Sequence, residues 1–290
     1  MGKKLKSVGI FANLKKKSVQ NALKRLIENL GNTKYLIEEK LSEKLGVGPK
    51  ASIEQLSKTD MIIVLGGDGT MLLAARLFSK YGVPLLGVNL GRLGFLTELM
   101  PDEFSEAIPR IVDGNYEIEE RMMLQAFAPN IVNEPLCGLN EVTIDKGGSP
   151  RLLSLSVAVS CRLVSHINAD GIVIATPTGS TAYSMAAGGA IMAPHTDAFI
   201  ITALAPYTLS IRPLVVDSKE IIEIEYKTHD KKNLPHLTID GQVCFILGES
   251  GKVIVKKSEY KAKLVSYHKR TFYDVLRRKL GWGPPPFTSF

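Results

Sequence analysis

The chain has 290 residues, 45% of them hydrophobic and 22% charged, with a formal net charge of +7. This composition excludes a disordered or low-complexity chain and leaves room for two domains or one large one. Much of the positive excess sits in LKKK at 14–17 and in the 256–270 stretch. No aromatic residue interleaves the first cluster, so it reads as a solvated face, not a nucleic-acid interface, and a positive field would also draw in a polyanionic substrate.

Cys137, Cys161 and Cys244 lie far apart without CxxC spacing, which suggests neither a zinc site nor a disulfide framework and fits a reducing compartment. The first seventeen residues carry charge without the apolar core of a signal peptide, and no window approaches eighteen uninterrupted apolar residues. The expectation is a soluble cytoplasmic protein without a membrane partner. The five histidines form no HExxH pair, and there is no GxSxG elbow.

In chain order, 8–12 reads as a strand, 16–30 as an amphipathic helix and 35–37 as a weak strand. Residues 61–65, 71–79 and 83–88 continue as strand, helix and strand. Such alternation predicts an open parallel sheet flanked by helices, with ligands at the C-terminal strand ends. Pro101 marks the first turn of a helix reaching about residue 112. From Tyr116 onward short β-branched runs follow one another: 117–127, 139–145, 153–163, 171–175, 199–203, 221–226, 236–239, 243–246, 252–256 and 262–267. Serial strands without long helices predict a mainly antiparallel, sandwich-like β domain. TAYSMAAGGAIM at 181–192 interrupts it as a short helix, and residues 273–280 return to helical spacing. The expected organisation is an α/β domain over 1–99, a β-rich domain over 100–267, and a C-terminal helix and tail over 268–290 docking on the first domain.

VLGGDGTML at 64–72 carries the first chemical signal. The apolar run before it reads as a buried strand. Gly66, Gly67 and Gly69 allow backbone angles that side chains forbid, and Thr70 can cap the helix that follows. A Gly-rich loop between a strand end and a helix N-terminus is a phosphate cradle. Asp68 would repel a phosphate unless it holds a metal ion or takes a proton from an attacking hydroxyl, and both jobs belong to phosphoryl transfer. GxxxxGK[ST] is absent, which argues against a P-loop. GVGPKA at 46–51 nominally matches GxGxxA but follows the charged LSEKL and contains Pro49.

GGDGT at 66–70, NLGRLGFLTE at 89–98, LNEVTI at 139–144, DGIVIATPTGSTAYSMAAGGAI at 170–191 and LTIDGQ at 237–242 occur in this order. Together with FYDVLRRKLGWG at the end, they make the chain resemble the NAD kinase family over nearly its whole length. GGDGT alone also occurs in lipid kinases and phosphofructokinases. The resemblance implies transfer of a phosphoryl group from ATP or polyphosphate to the 2′-hydroxyl of the adenosine ribose of NAD. Mg²⁺, or another divalent ion, would bridge the donor phosphates.

The same resemblance implies roles for particular residues. Asp68 would be the base, and Gly66, Gly67, Gly69 and Thr70 would shape the phosphate loop. Asn140 and Glu141 would hold the adenosine end. Thr181, Ala182, Tyr183 and Ser184 would form a nucleotide segment in which Tyr183 stacks on adenine. Asp170 and Gln242 would add polar contacts, and Asn168 and Ala205 fall at positions the family also uses. Arg151 would reach from a neighbouring subunit, implying a homodimer or homotetramer. Two departures stand out. Tyr207 occupies a position where the family often has histidine, and Ala186 one where serine is common. A lipid kinase sharing GGDGT would need an apolar acceptor site, and an idle dinucleotide sensor would be expected to lack the acid. Donor identity, NAD against NADH, and the metal ligands are left open.

Overall fold

A computed structural model of the chain describes residues 2–14, 18–91, 94–129, 131–267 and 271–282. Parts of several sequence motifs lie outside them: most of the LKKK cluster, Arg92 and Leu93 of the NLGRLGF loop, the end of the 256–270 basic stretch, and the C-terminal tail from Gly283.

The elements in chain order begin with β1 (Ser7–Ala12), α1 (Val19–Asn29), β2 (Lys34–Glu38), α2 (Glu39–Leu45), β3 (Lys50–Ala51), α3 (Ile53–Leu56), β4 (Met61–Gly66), α4 (Asp68–Phe78), β5 (Leu85–Asn89) and α5 (Phe104–Val112). Then come β6 (Glu117–Phe127), β7 (Leu136–Gly138), β8 (Glu141–Asp145), β9 (Leu153–Val159), β10 (Arg162–Ala169), β11 (Gly171–Ala175), α6 (Tyr183–Ala186), β12 (Ala198–Leu204) and β13 (Leu214–Asp217). The chain ends with β14 (Ile222–Lys227), β15 (His236–Ile239), β16 (Val243–Ile246), β17 (Ser250–Ser266) and α7 (Phe272–Leu280). It divides into two compact units.

The first unit comprises Met1–Met71, Val83–Glu119 and Leu264–Phe290. Its sheet runs in the order β17, β5, β4, β1, β2, β3, with every neighbouring pair parallel, as the alternation of strand and helix predicts. β4 is buried at all six positions, which is why it reads as an unbroken apolar run. α1 buries Val19, Ala22, Leu23 and Leu26, and α5 buries Phe104, Ala107, Ile108 and Ile111, in one core with β1 and β4. The GVGPKA glycines belong to turns: Gly46 closes α2 with φ of 64°, and Gly48 follows at 71°. α2 and α3 were not legible as helices, because seven and four residues are too short to display a helical period.

The second unit comprises Leu72–Gly82 and Glu120–Lys263. One sheet there orders β10, β9, β14, β17, with β6 pairing β17 and β7; the other orders β13, β12, β11, β8, β15, β16. Leu155, Val157, Ile224 and Val253 of the first sheet share a core with Val142, Ile144, Ile172, Ile174 and Phe199 of the second. This is the antiparallel, sandwich-like domain that the β-run pattern predicts. The expected strand 153–163 is instead a strand, a turn and the start of the next strand. Ser160 and Cys161 turn with φ of 46° and 65°, a conformation their types do not advertise. The expected helix 181–192 shrinks to the single turn of α6. Gly188 beyond it has φ of 86° and leaves helical geometry. Among the described residues no helix is long and apolar enough to cross a membrane.

Candidate active site

The expected phosphate loop lies where β4 gives way to α4. The Gly67 carbonyl accepts from the N–H groups of Thr70 at 2.9 Å and Met71 at 3.1 Å, so α4 starts at Asp68. Thr70 is therefore inside the first turn and does not precede the helix as a cap; its hydroxyl accepts from the Gly67 N–H at 3.4 Å. Gly66, Gly67 and Gly69 are not among the residues of positive φ, so left-handed backbone does not account for them. At Gly66 the reason is close approach, because a β-carbon there would collide with the Thr70 side chain.

Asp68 spends its carboxylate on the neighbouring loop. Oδ2 accepts from the Phe95 N–H at 2.9 Å, and Oδ1 from the Leu96 N–H at 3.1 Å. Gly94 permits this, since a β-carbon there would overlap the carboxylate. Thr97 Oγ1 steadies the turn by accepting from the Asn89 amide and the Gly94 N–H, each at 3.1 Å. Leu90 N–H donates to the Gly66 carbonyl at 2.8 Å, so the loops after β4 and β5 are tied at adjacent C-terminal strand ends. That is where ligands of open α/β sheets bind.

In the second unit three motifs converge on Asn140 and Glu141. Asp240 of the TIDG turn has φ of 51°, and its carboxylate accepts from the N–H groups of Leu139 at 3.0 Å, Asn140 at 2.7 Å and Glu141 at 3.3 Å. From the TPTG turn, the Thr176 hydroxyl donates to the Leu139 carbonyl at 2.6 Å, and the Thr176 N–H to the Asn140 carbonyl at 2.8 Å. Gly179 of that turn lies so close to the Asn140 carbonyl that no β-carbon fits. Arg76 stands behind the TIDG turn, with Nη1 3.7 Å from Asp240 Oδ2 and Nη2 donating to Gln242 Oε1 at 2.8 Å.

The charge balance here is unusual. Glu141 is only 6% exposed, and its Oε2 is buried without a hydrogen-bond partner. Burial, reinforced by the Asp240 carboxylate, pushes the Glu141 carboxyl up to about 8. Burial also raises the Asp240 carboxyl, while three N–H donors and the Arg76 guanidinium hold back part of that rise. Perturbed carboxyls cluster at functional sites, which makes the surroundings of Glu141 and its unfilled Oε2 a candidate binding site. Sequence reasoning passed over Asp240 and Arg76. The TIDG tetrapeptide was the available signal for the first; nothing in the helical spacing of α4 distinguished the second.

The remaining expected site residues fall into groups. Tyr183 opens α6 and is 48% exposed, so it is not a core tyrosine. Thr181 and Ala182 are half-buried beside it, and Ala186 is exposed. Ser184 is fully buried, its hydroxyl 3.0 Å from Thr202 Oγ1, so its side chain faces the protein. Asn168, Asp170 and Ala205 gather where the β10 to β11 turn meets the end of β12. Tyr207 N–H donates to the Asn168 carbonyl at 2.8 Å, and Asp170 N–H to the Leu204 carbonyl at 2.9 Å. Ala205 has φ of 42°, and the Asp170 carboxylate pairs with Lys146 at 2.6 Å. Arg151 is exposed and donates to the His229 carbonyl at 3.2 Å.

Comparison with known proteins fits this arrangement. The model of the ATP-NAD kinase N-terminal domain matches residues 8–116, and that of the ATP-NAD kinase C-terminal domain matches residues 139–267. The chain is 40% identical to an NAD kinase of Chlorobium limicola over 94% of its own length and 96% of the relative's. It is 40% identical to an NAD kinase of Carboxydothermus hydrogenoformans over 89% and 93%. A yeast NADH kinase solved with NADH shares the fold at a TM-score of 0.84 and 23% identity, covering 99% of this chain and 91% of that one. An NAD kinase from Archaeoglobus fulgidus solved with ATP gives 0.74 and 25%, covering 95% and 97%. With a Gly-rich anion loop in one unit, a clamped Asn-Glu pair in the other, and identity of this depth across both, the chain belongs to the NAD kinase family.

Proposed function

We propose that the protein phosphorylates the 2′-hydroxyl of the adenosine ribose of NAD to give NADP, with ATP as donor. The observation that carries this reading is that one chain holds both an acid-bearing Gly-rich loop, in its first unit, and the Asp240 clamp on Asn140 and Glu141, in its second. An amide with donor and acceptor suits a purine edge, and a carboxyl with one unfilled oxygen suits a ribose hydroxyl. A lipid kinase would need an apolar acceptor site instead. The curated relatives are named NAD kinase, and the two solved neighbours hold NADH and ATP. Polyphosphate carries the same terminal phosphoryl group and is the alternative donor.

In the step proposed, the 2′-oxygen attacks the terminal phosphorus of the donor. The bond from that phosphorus to its bridging oxygen breaks, ADP leaves, and the hydroxyl proton passes to the Asp68 carboxylate. Each Asp68 oxygen already accepts one N–H, which fixes the carboxylate while leaving it further lone pairs. Among the described residues no group of three or more His, Cys, Asp and Glu is gathered in the manner of a metal site. We therefore write the divalent ion as part of the substrate, arriving as MgATP. Free thiols at Cys137, Cys161 and Cys244 suit a reducing cytoplasm.

We further propose a homo-oligomer, dimer or tetramer. Leu163, Val164, Tyr207 and Leu209 each stand exposed on the second unit, apolar side chains that a neighbouring copy would cover. Specific activity falling on dilution supports this, and activity constant down to purely monomeric concentrations overturns it. The test of the main reading is incubation with ATP, Mg²⁺ and, separately, NAD, NADH or diacylglycerol. A 2′-phosphorylated dinucleotide is expected, and phosphorylation of diacylglycerol alone would reverse the assignment.

A further inference from the structure

GGDGT contains an acid and no cation, whereas a loop that receives a polyphosphate ordinarily sets a lysine against it. A lysine comes to this loop from the other end of the chain. α7 begins at a capping box in which the Thr271 hydroxyl accepts from the Asp274 N–H at 3.2 Å, while Asp274 Oδ2 accepts from the Thr271 N–H at 2.9 Å. The Phe272 ring packs against Phe95 with centroids 6.4 Å apart. Phe95 is the residue whose N–H binds Asp68, so α7 rests on the phosphate-loop assembly itself.

Lys279, in the last turn of α7, carries its ammonium 3.9 Å from Asp68 Oδ2 and 4.7 Å from the Phe95 ring centroid. The ring face holds the cation in position. At 3.9 Å no hydrogen bond to Asp68 is made, so the ammonium keeps its N–H donors for a third group. The Lys279 side chain is 32% exposed and that of Asp68 33%, so a solute can reach both. Arg277, two residues earlier, pairs with Asp274 on its own helix.

We propose that Lys279 is a phosphate-binding residue for the phosphoryl donor, supplying the positive charge that the Gly-rich loop lacks. The proposal rests on the reading of the protein as a kinase acting at Asp68. Lys279 contacts an oxygen of the terminal phosphate, offsets repulsion between that phosphate and Asp68, and balances charge as the phosphoryl group moves. A purely structural lysine would serve only the dipole at the end of α7, a service that Arg278 performs equally.

The test uses the full chain as parent, Lys279→Met, Lys279→Arg and Arg278→Met, with MgATP binding measured by calorimetry and NAD phosphorylation by initial rates. Lys279→Met is expected to weaken MgATP binding and raise the KM for ATP by about tenfold or more, with the KM for NAD within about twofold. Lys279→Arg should recover most of the loss, and Arg278→Met should resemble the parent. MgATP affinity within about twofold of the parent in Lys279→Met, equal weakening toward ATP and NAD, or a matching loss in Arg278→Met would each overturn the assignment. If the parent binds MgATP but phosphorylates no dinucleotide, the binding arm still decides for or against Lys279 while the NAD kinase reading falls. If the parent binds no MgATP, both fall.

Discussion

Asp68 and Gly94 share one volume: the Asp68 carboxylate lies where a β-carbon on Gly94 would stand. The second glycine of NLGRLGF is thus explained by the aspartate of GGDGT, 26 positions earlier in the numbering. Gly94→Ala should push the carboxylate off the Phe95 and Leu96 N–H groups and cost about 1–3 kcal/mol of stability. With the acid displaced, NAD phosphorylation should fall on the order of 10²-fold. Urea unfolding and initial rates measure the two effects. Parent-like rates in the alanine variant would mean that the position of Asp68 is not critical.

Tyr183 separates a binding role from a packing role without difficulty, because the residue is exposed. Tyr183→Ala should leave the unfolding midpoint nearly unmoved while weakening NAD binding by about 1–3 kcal/mol, the range for a base stacked on an aromatic ring. Normal NAD affinity by calorimetry would remove the stacking role.

The sequence made the parallel sheet, the β sandwich and the glycine loop legible because each rests on local signals: an apolar strand, a turn, a period. The reasons for particular glycines were not legible. Gly66 and Gly94 answer to the Thr70 side chain and the Asp68 carboxylate, contacts made in space. The same holds for Asp240, which reaches back about 100 residues to hold Asn140, and for Arg76 behind it. The direction of the Ser184 side chain was not legible either: its hydroxyl lies 3.0 Å from Thr202 Oγ1, a contact made in space.

Glu141 should make stability depend on pH in a recognisable window. The folded protein keeps this proton to about pH 8, whereas an ordinary glutamate releases it at 4.5. Between those values the folded state binds more protons than the unfolded. The contribution is therefore full below pH 4.5 and is lost as pH rises through about 8. Glu141→Gln cannot ionise, so its stability relative to the parent should improve steadily across that window. Chemical denaturation at several pH values measures this, and a constant difference from acid to alkaline conditions would mean that Glu141 is not held protonated by the fold.

Arg76 should matter through Asp240. Its guanidinium is the cation facing a carboxylate whose side chain is fully buried. Arg76→Met leaves that charge uncompensated at a cost of about 3 kcal/mol, smaller in acid where Asp240 can take a proton. Adding Asp240→Asn should return part of the loss. An identical penalty at every pH, with no recovery in the double variant, would make Arg76 a packing residue only.

Asp68→Asn tests the proposed proton transfer, and the geometry sharpens what to expect. The aspartate receives one N–H on each oxygen. Asparagine keeps one acceptor and turns an amide N–H toward a backbone donor, so a stability loss of about 1–3 kcal/mol accompanies the loss of the base. Turnover should drop on the order of 10²–10⁴-fold, with NAD affinity unchanged. Gly94→Ala is the companion variant, because it retains the acid but dislodges it. If Asp68 serves chiefly as the anchor of the 94–96 turn, the two variants lose the same activity. If it accepts the ribose proton, Asp68→Asn loses at least about tenfold more turnover than Gly94→Ala, which keeps the acid. A folded asparagine variant with turnover within a few-fold of the parent would remove the proton transfer and leave dinucleotide binding standing.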